Sequence, residues 1–188
     1  MAKAEPASPL DDATFAKRAK GLAWLLLDVD GVLTDGGLIY GPKGEQLKSF
    51  DVRDGLGIKL AQGAGLKVGI LSGRSSAALV ARSRELGLDA FVQNRSDKRE
   101  AFAEFLAAHE TSADRVAVIG DDLPDLPLLA RAALTFAPSD AAPEVRARAH
   151  RVLSRPGGRG AVREMVEQIL RARGEWDGIV ARFGEAGK

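Results

Sequence analysis

The chain has no cysteine, so it can hold neither a disulfide framework nor a thiolate metal site. Aromatic residues are scarce, at 5%, and neither sign of charge prevails: 27 lysines and arginines against 26 aspartates and glutamates leave a net +1. Such a balance gives no long-range pull toward nucleic acid or an acidic membrane surface, so any bound anion must be held by a local constellation. No apolar run approaches the roughly 20 residues needed to span a bilayer. The opening residues, with Lys3, Glu5, Pro6, Asp11 and Asp12, lack the apolar stretch of a signal peptide. The cytoplasm is the expected compartment, with neither nucleic acid nor membrane as a partner.

What remains is ordinary globular material. The 188 residues are 45% hydrophobic and 28% charged, enough for one domain with a real core and too few for two. Residues 1–20 are polar and expected to be half-ordered. From 21 to 173, short apolar runs alternate with longer helix-patterned segments. Trp24–Leu27, Val68–Leu71, Ala90–Val92, Val116–Ile119 and Leu134–Phe136 read as strands, and their near-continuous hydrophobicity suits a parallel sheet covered on both faces. Helical patterns fall at about 55–64, 75–86, 97–109, 125–132, 141–149 and 160–172. The alternation predicts an α/β domain, a doubly wound, Rossmann-like parallel sheet with right-handed crossovers. One segment breaks the rhythm: residues 37–50 read as a β-hairpin inserted after the first strand, turning at Gly41-Pro42-Lys43-Gly44. The tail, 174–188, carries Trp176 and Phe183 among charges and is expected to dock loosely or fray.

In sheets of this kind ligands bind beyond the carboxyl ends of the strands, so the polar residues that follow each apolar run matter most. The first run ends in Asp28-Val29-Asp30-Gly31, the second in Ser72-Gly73-Arg74, and the fourth in Gly120-Asp121-Asp122-Leu123-Pro124-Asp125; Lys98 opens the helix after the third. Carboxylates gathered this closely raise one another's pKa unless a cation sits among them. An all-oxygen set of this kind fits Mg²⁺, which takes one or two carboxylates and completes its octahedron with water or phosphate oxygens. Ser72 and Lys98 then suit a phosphoryl group, one as a neutral donor and the other as a point charge. The set describes a metal-assisted phosphoryl-transfer site.

These residues resemble the haloacid dehalogenase (HAD) phosphatases. Asp28-Val29-Asp30-Gly31-Val32-Leu33-Thr34-Asp35 is similar to the first motif of that superfamily, Ser72 to the second, Lys98 to the third, and Gly120-Asp121-Asp122 with Asp125 to the fourth. The resemblance implies that Asp28 is the nucleophile and a Mg²⁺ ligand, and that Asp30 is a general acid–base whose main-chain carbonyl also ligates the metal. It makes Asp121 the second carboxylate ligand, supported by Asp122 and Asp125. Ser72 and Lys98 would hold the phosphoryl oxygens.

A narrower match lies in Phe50-Asp51-Val52-Arg53-Asp54-Gly55, the hairpin, Gly73-Arg74 and Gly157-Gly158-Arg159-Gly160, which resemble the family of 3-deoxy-D-manno-octulosonate 8-phosphate phosphatases, small HAD enzymes without a large cap domain. That resemblance implies a sugar phosphate contacted by Asp30, Asp51, Val52, Arg53, Asp54, Gly55, Lys59, Arg74, Arg82, Lys98 and Arg159. It also implies a homotetramer whose hairpins associate and whose C-terminal segments reach a neighbour's site. Two positions depart from the pattern: Lys59 stands where arginine is expected, and Asn94-Arg95 where a glycine-containing turn is expected.

Plainer readings exist for several of these residues. Asp28 and Asp30 could cap a turn, Lys98 could belong to a solvated helix face, and Asp122 and Asp125 could be helix N-terminal charges favoured by the dipole. Gly157 to Gly160 could only supply a positive-φ step before the last helical pattern. His109 and His150 lie in charged helical segments and read as surface residues. Three rival functions share the motifs: a phosphatase for another sugar phosphate such as a nonulosonate 9-phosphate, phosphotransfer to an acceptor other than water, and a HAD-like scaffold without catalysis.

Overall fold

The computed structural model describes residues 10–42 and 44–185. A short helix, α1 (Asp12–Gly21), precedes the first strand, β1 (Trp24–Leu27). The hairpin β2 (Ile39–Gly41) and β3 (Gly44–Leu47) follows, then α2 (Val52–Gly63), β4 (Lys67–Leu71), α3 (Ala77–Leu86), β5 (Ala90–Val92) and α4 (Lys98–Ala108). The second half runs β6 (Val116–Ile119), α5 (Leu126–Leu129), β7 (Leu134–Ala137), α6 (Pro143–Arg146), β8 (Arg151–Val152), α7 (Ala161–Arg173) and α8 (Trp176–Glu185).

The sheet is parallel throughout, in the order β5-β4-β1-β6-β7-β8. The chain steps from β1 out to β5 on one side, then crosses back to β6 and works outward on the other. Beside β1, therefore, the strand order reverses, and a crevice opens at the carboxyl ends of β1, β4 and β6. Alternate residues of each strand face opposite layers. Leu25, Leu27, Val68, Ile70, Ala117 and Ile119 join the core beneath α1, α2 and α7. Trp24, Leu26, Val116 and Val118 join the one beneath α4 and α5. Both faces are covered, which is why the strands read as continuous apolar runs.

Two ends of the chain differ from the sequence expectation. The polar stretch before residue 21 includes α1, because Asp11 caps it by accepting from Thr14 N and because Phe15 and Ala19, one turn apart, are buried against the sheet and α7. Residues 1–9 lie outside the described residues. The tail does not fray over residues 176–185: Trp176 and Ile179 are buried in the main core, and Arg163 and Arg171 both lie over the Trp176 ring. Strand β8, only two residues long, carries too little pattern to be read in advance. His150 is not a free surface residue either; its Nδ1 accepts from Thr135 N at 3.1 Å, pinning the approach to β8. His109 packs against Trp24 and Phe105.

Candidate active site

The first motif follows β1 as a tight turn. The carbonyl of Val29 accepts from the amides of Val32, Leu33 and Thr34, which throws Asp28 and Asp30 to the mouth of the crevice. Gly31 has φ +86°, and a Cβ there would fall 2.1 Å from Asp121 Oδ2. The glycine of the turn therefore has two physical causes: a left-handed backbone, and a carboxylate occupying the space of a side chain.

A cleft of about 380 Å³ opens at this edge, lined by Asp28, Asp30, Ser72, Arg74, Lys98 and Asp121 together with Ser96, Asp122 and Asp125. The buried ammonium of Lys98 lies 2.7 Å from Asp28 Oδ1 and 2.6 Å from Asp125 Oδ1. Asp125 does more than complement a helix dipole. Its other oxygen accepts from the amides of Asp121 and Asp122, so one buried carboxylate fixes both the lysine and the loop that carries Asp121. Ser72, buried at the end of β4, accepts from Arg74 N at 3.2 Å.

The electrostatics ask for a cation. Oxygens of Asp28, Asp121 and Asp125 lie within 4.8 Å of one another. Burial, then the charge of Asp125, pushes Asp28 up to about 6 against the pull of Lys98. Burial, then Asp28 and Asp125, pushes Asp121 up to about 8. Burial opposes the charge on Lys98, yet Asp28 and Asp125 hold it above the ordinary lysine range. One lysine does not balance three carboxylates, and two of them can share a hydrogen bond only if one keeps a proton. A hard divalent cation between Asp28 and Asp121 removes that conflict, and the all-oxygen donor set fits Mg²⁺.

Across the cleft Asp30 is held by Lys48, whose ammonium lies 2.5 Å from Oδ1, and by Arg74, with Nε 3.8 Å from Oδ2. The side chain of Lys48 is almost wholly buried. The sequence reading missed it: a single lysine at the foot of a hairpin has no spacing that marks it. Arg74 also donates to the hydroxyl of Tyr40 at 3.0 Å, tying the hairpin to the cleft.

The remaining residues assigned to substrate do not line this cleft. Asp51 caps α2 and pairs with Arg53, whose Nη2 also donates to the Arg159 carbonyl at 3.0 Å; Arg53 holds Asp51 below the usual carboxylate range. Val52 is exposed on the first turn of α2. Asp54 turns inward and accepts from Gly160 N and Arg163 N, capping α7 from another helix, while burial raises its pKa. Gly55 lies under the Arg82 guanidinium, which pairs with Glu85 and stacks over Phe50. Lys59 donates to Leu86 O at 2.5 Å, at the C-terminal end of α3. Asn94 adopts φ +60°, the left-handed step that asparagine tolerates best after glycine, so the expected turn forms without one.

A doubly wound sheet with two aspartates at the end of its first strand, a third facing them from the fourth-motif loop and a buried lysine between carboxylates defines a HAD-type phosphoryl-transfer hydrolase. The family model for haloacid dehalogenase-like hydrolases matches residues 90–163. The 3-deoxy-D-manno-octulosonate 8-phosphate phosphatase of Yersinia pestis is 42% identical over 86% of this chain and 87% of its own. The chain belongs to that phosphatase family within the HAD hydrolases. Among solved structures, the Moraxella catarrhalis phosphatase in complex with magnesium, phosphate and KDO superposes with a TM-score of 0.86 at 36% identity, covering 90% of this chain and 97% of that one. The cobalt-bound Haemophilus influenzae enzyme gives 0.82 at 42% identity over 85% and 93% of the two chains.

Proposed function

We propose that this chain is a Mg²⁺-dependent phosphatase that hydrolyses 3-deoxy-D-manno-octulosonate 8-phosphate to the free sugar acid and phosphate, in the synthesis of lipopolysaccharide precursors. The observation that carries this reading is the buried Asp28–Lys98–Asp125 cluster, with Asp121 beside it and Asp30 facing it, in a chain akin to a phosphatase solved with magnesium, phosphate and KDO.

Asp28 attacks phosphorus through a carboxylate oxygen, and the bond from phosphorus to the sugar oxygen breaks. Asp30 gives its proton to that leaving oxygen, then takes one from the water that cleaves the acyl phosphate, which restores Asp28. Lys98 and the Ser72 hydroxyl donate to the phosphoryl oxygens as charge spreads over them. Bound at Asp28, Asp121 and the Asp30 carbonyl, Mg²⁺ supplies charge neutralisation and orientation of the phosphoryl group.

Assembly belongs to the same proposal. The hairpin exposes Leu38, Ile39, Tyr40 and Leu47, more apolar surface than a free loop usually carries. Without a cap the cleft is open to water, which is poor for telling one sugar phosphate from another. Hairpin-to-hairpin packing in a closed homotetramer answers both problems, with each copy helping to cover a neighbour's cleft. No helix among the described residues is long and apolar enough to cross a membrane, and the proposed compartment is the cytoplasm.

The test is phosphate release from a panel of sugar phosphates, with and without Mg²⁺. The highest kcat/KM is expected for the octulosonate 8-phosphate, with no release after chelation. A preference for a nonulosonate 9-phosphate would shift the substrate and keep the chemistry. Silence against the whole panel in Mg²⁺ would leave a non-catalytic scaffold.

A further inference from the structure

The loop Gly157-Gly158-Arg159-Gly160 packs against the first-motif turn of its own chain. A Cβ on Gly157 would fall 1.8 Å from the carbonyl oxygen of Gly31, and one on Gly158 would fall 2.4 Å from the backbone of Thr34 and Asp35. Gly158 has φ +62° and donates its amide to Val32 O at 2.8 Å; Arg159 reaches Asp35 at 3.5 Å. The approach is backbone on backbone, so no side-chain rearrangement can make room for a methyl group.

These contacts continue around the metal-binding carboxylates. Gly157 N donates to Asp140 Oδ1 at 3.0 Å. Two residues on, Ala142 N donates to the carbonyl of Asp121 at 2.8 Å. The carboxylate of Asp121 in turn occupies the space beside Gly31. The contacts close a ring: Gly31, Gly157, Asp140, Ala142, Asp121 and back to Gly31. The ring joins the turn that carries Asp28 and the Asp30 carbonyl to the loop that carries Asp121.

We propose that Gly157, Gly158 and Asp140 are positioning residues for the metal site, fixing the distance between the first-motif turn and Asp121. None of them touches substrate or metal; they act through Gly31 and Asp121. The inference rests on the assignment of Asp28, Asp121 and the Asp30 carbonyl as ligands. It gives the double glycine a role within one chain, independent of any reach toward a neighbour.

The test measures Mg²⁺ affinity by calorimetry and by the Mg²⁺-induced rise in Tm, so turnover is not needed as a readout. Gly157→Ala and Asp140→Ala are expected to weaken Mg²⁺ binding by about tenfold or more, the scale on which outer-shell partners of a metal act. Asp140→Asn, which keeps an acceptor oxygen, should recover most of that loss. Should Gly157→Ala not fold, the pair at Asp140 carries the test alone. Gly174→Ala is the structural control: this left-handed glycine at the far end of α7 has open space around its Cβ site, so it should lower Tm and leave Mg²⁺ affinity unchanged. Wild-type Mg²⁺ affinity in folded Asp140→Ala would overturn the proposal, as would an equal loss in Gly174→Ala. Asp121→Asn separates the two levels, because Mg²⁺ affinity surviving that change would overturn the ligand assignment itself.

Discussion

The two ends of the cleft are built differently. At the phosphoryl end, buried Lys98 and Asp125 and half-buried Asp28 and Asp121 cluster on the ends of central strands and the helix starts beside them. At the sugar end, several of the side chains assigned to recognition turn elsewhere: Asp54 caps α7, Lys59 bonds the end of α3, and Arg82 pairs with Glu85. The charged cluster is assembled within one chain. In the proposed homotetramer, recognition would draw on surfaces that one chain leaves open, the hairpin above all. A phosphoryl group is the same in every substrate and needs fixed charges close together. A sugar is particular, and its contacts can be supplied by whatever packs over the cleft.

The largest effect should come from the phosphoryl end. Asp28→Asn keeps the shape but removes the charge needed for attack and metal ligation, so phosphate release should fall by about three orders of magnitude or more. A folded variant retaining even a tenth of wild-type turnover in saturating Mg²⁺ would show that the reactive carboxylate lies elsewhere.

Next is the coupling of protons to metal. Asp28 and Asp121 are raised from 3.8 to about 6 and about 8 in the metal-free protein. The folded state then holds protons that the unfolded state has released, so metal-free stability should fall as pH rises from about 4 to about 8. Mg²⁺ displaces those protons, and its affinity should rise across the same window, by about tenfold per pH unit for each proton displaced. Calorimetry in buffers of different ionisation enthalpy reads the proton release directly. A pH-independent affinity would remove the carboxylate conflict from which the metal site is argued.

The same contrast governs what the sequence makes legible. Asp28, Asp30, Ser72 and Asp121 each lie within three residues of the end of an apolar run, so locating the strands locates them. Lys98 is readable because it opens a helix. Lys48 and the inward turn of Asp54 are not readable, because each is fixed by a partner distant in the chain: Asp30 in one case, the start of α7 in the other. Helix α1 is hidden for a related reason. Its apolar face is narrow, with Phe15 and Ala19 among charges, and only packing against α7 and the sheet makes it pay. The tail follows suit, since Trp176 and Ile179 need the core already in place.

A smaller effect is expected at the hairpin. Polar substitution of Ile39 and Tyr40 together should dissociate the proposed tetramer in light scattering and raise KM several-fold, with Mg²⁺ affinity unchanged. The sugar end would weaken while the phosphoryl end stayed intact. A wild-type protein that is a stable, fully active monomer would refute the shared-cleft account and leave recognition to residues of a single chain.

The smallest effect separates the two readings of Lys59. By family resemblance it lines the substrate site; by geometry its ammonium bonds Leu86 O, the last carbonyl of α3, with Gly87 as the left-handed cap beyond. A cation at a helix C-terminus is worth about 0.3–1 kcal/mol when exposed. Lys59→Met should therefore lower stability by about that amount in denaturant unfolding, and leave KM for the sugar phosphate and kcat unchanged. Lys59→Arg, which keeps the charge, should restore the stability. The opposite pattern, an unchanged Tm with a raised KM that arginine corrects, would place Lys59 at the sugar end. It would also mean that the bond to Leu86 gives way when substrate and neighbouring copies are present, and that the sugar end takes its working form only in the assembled enzyme.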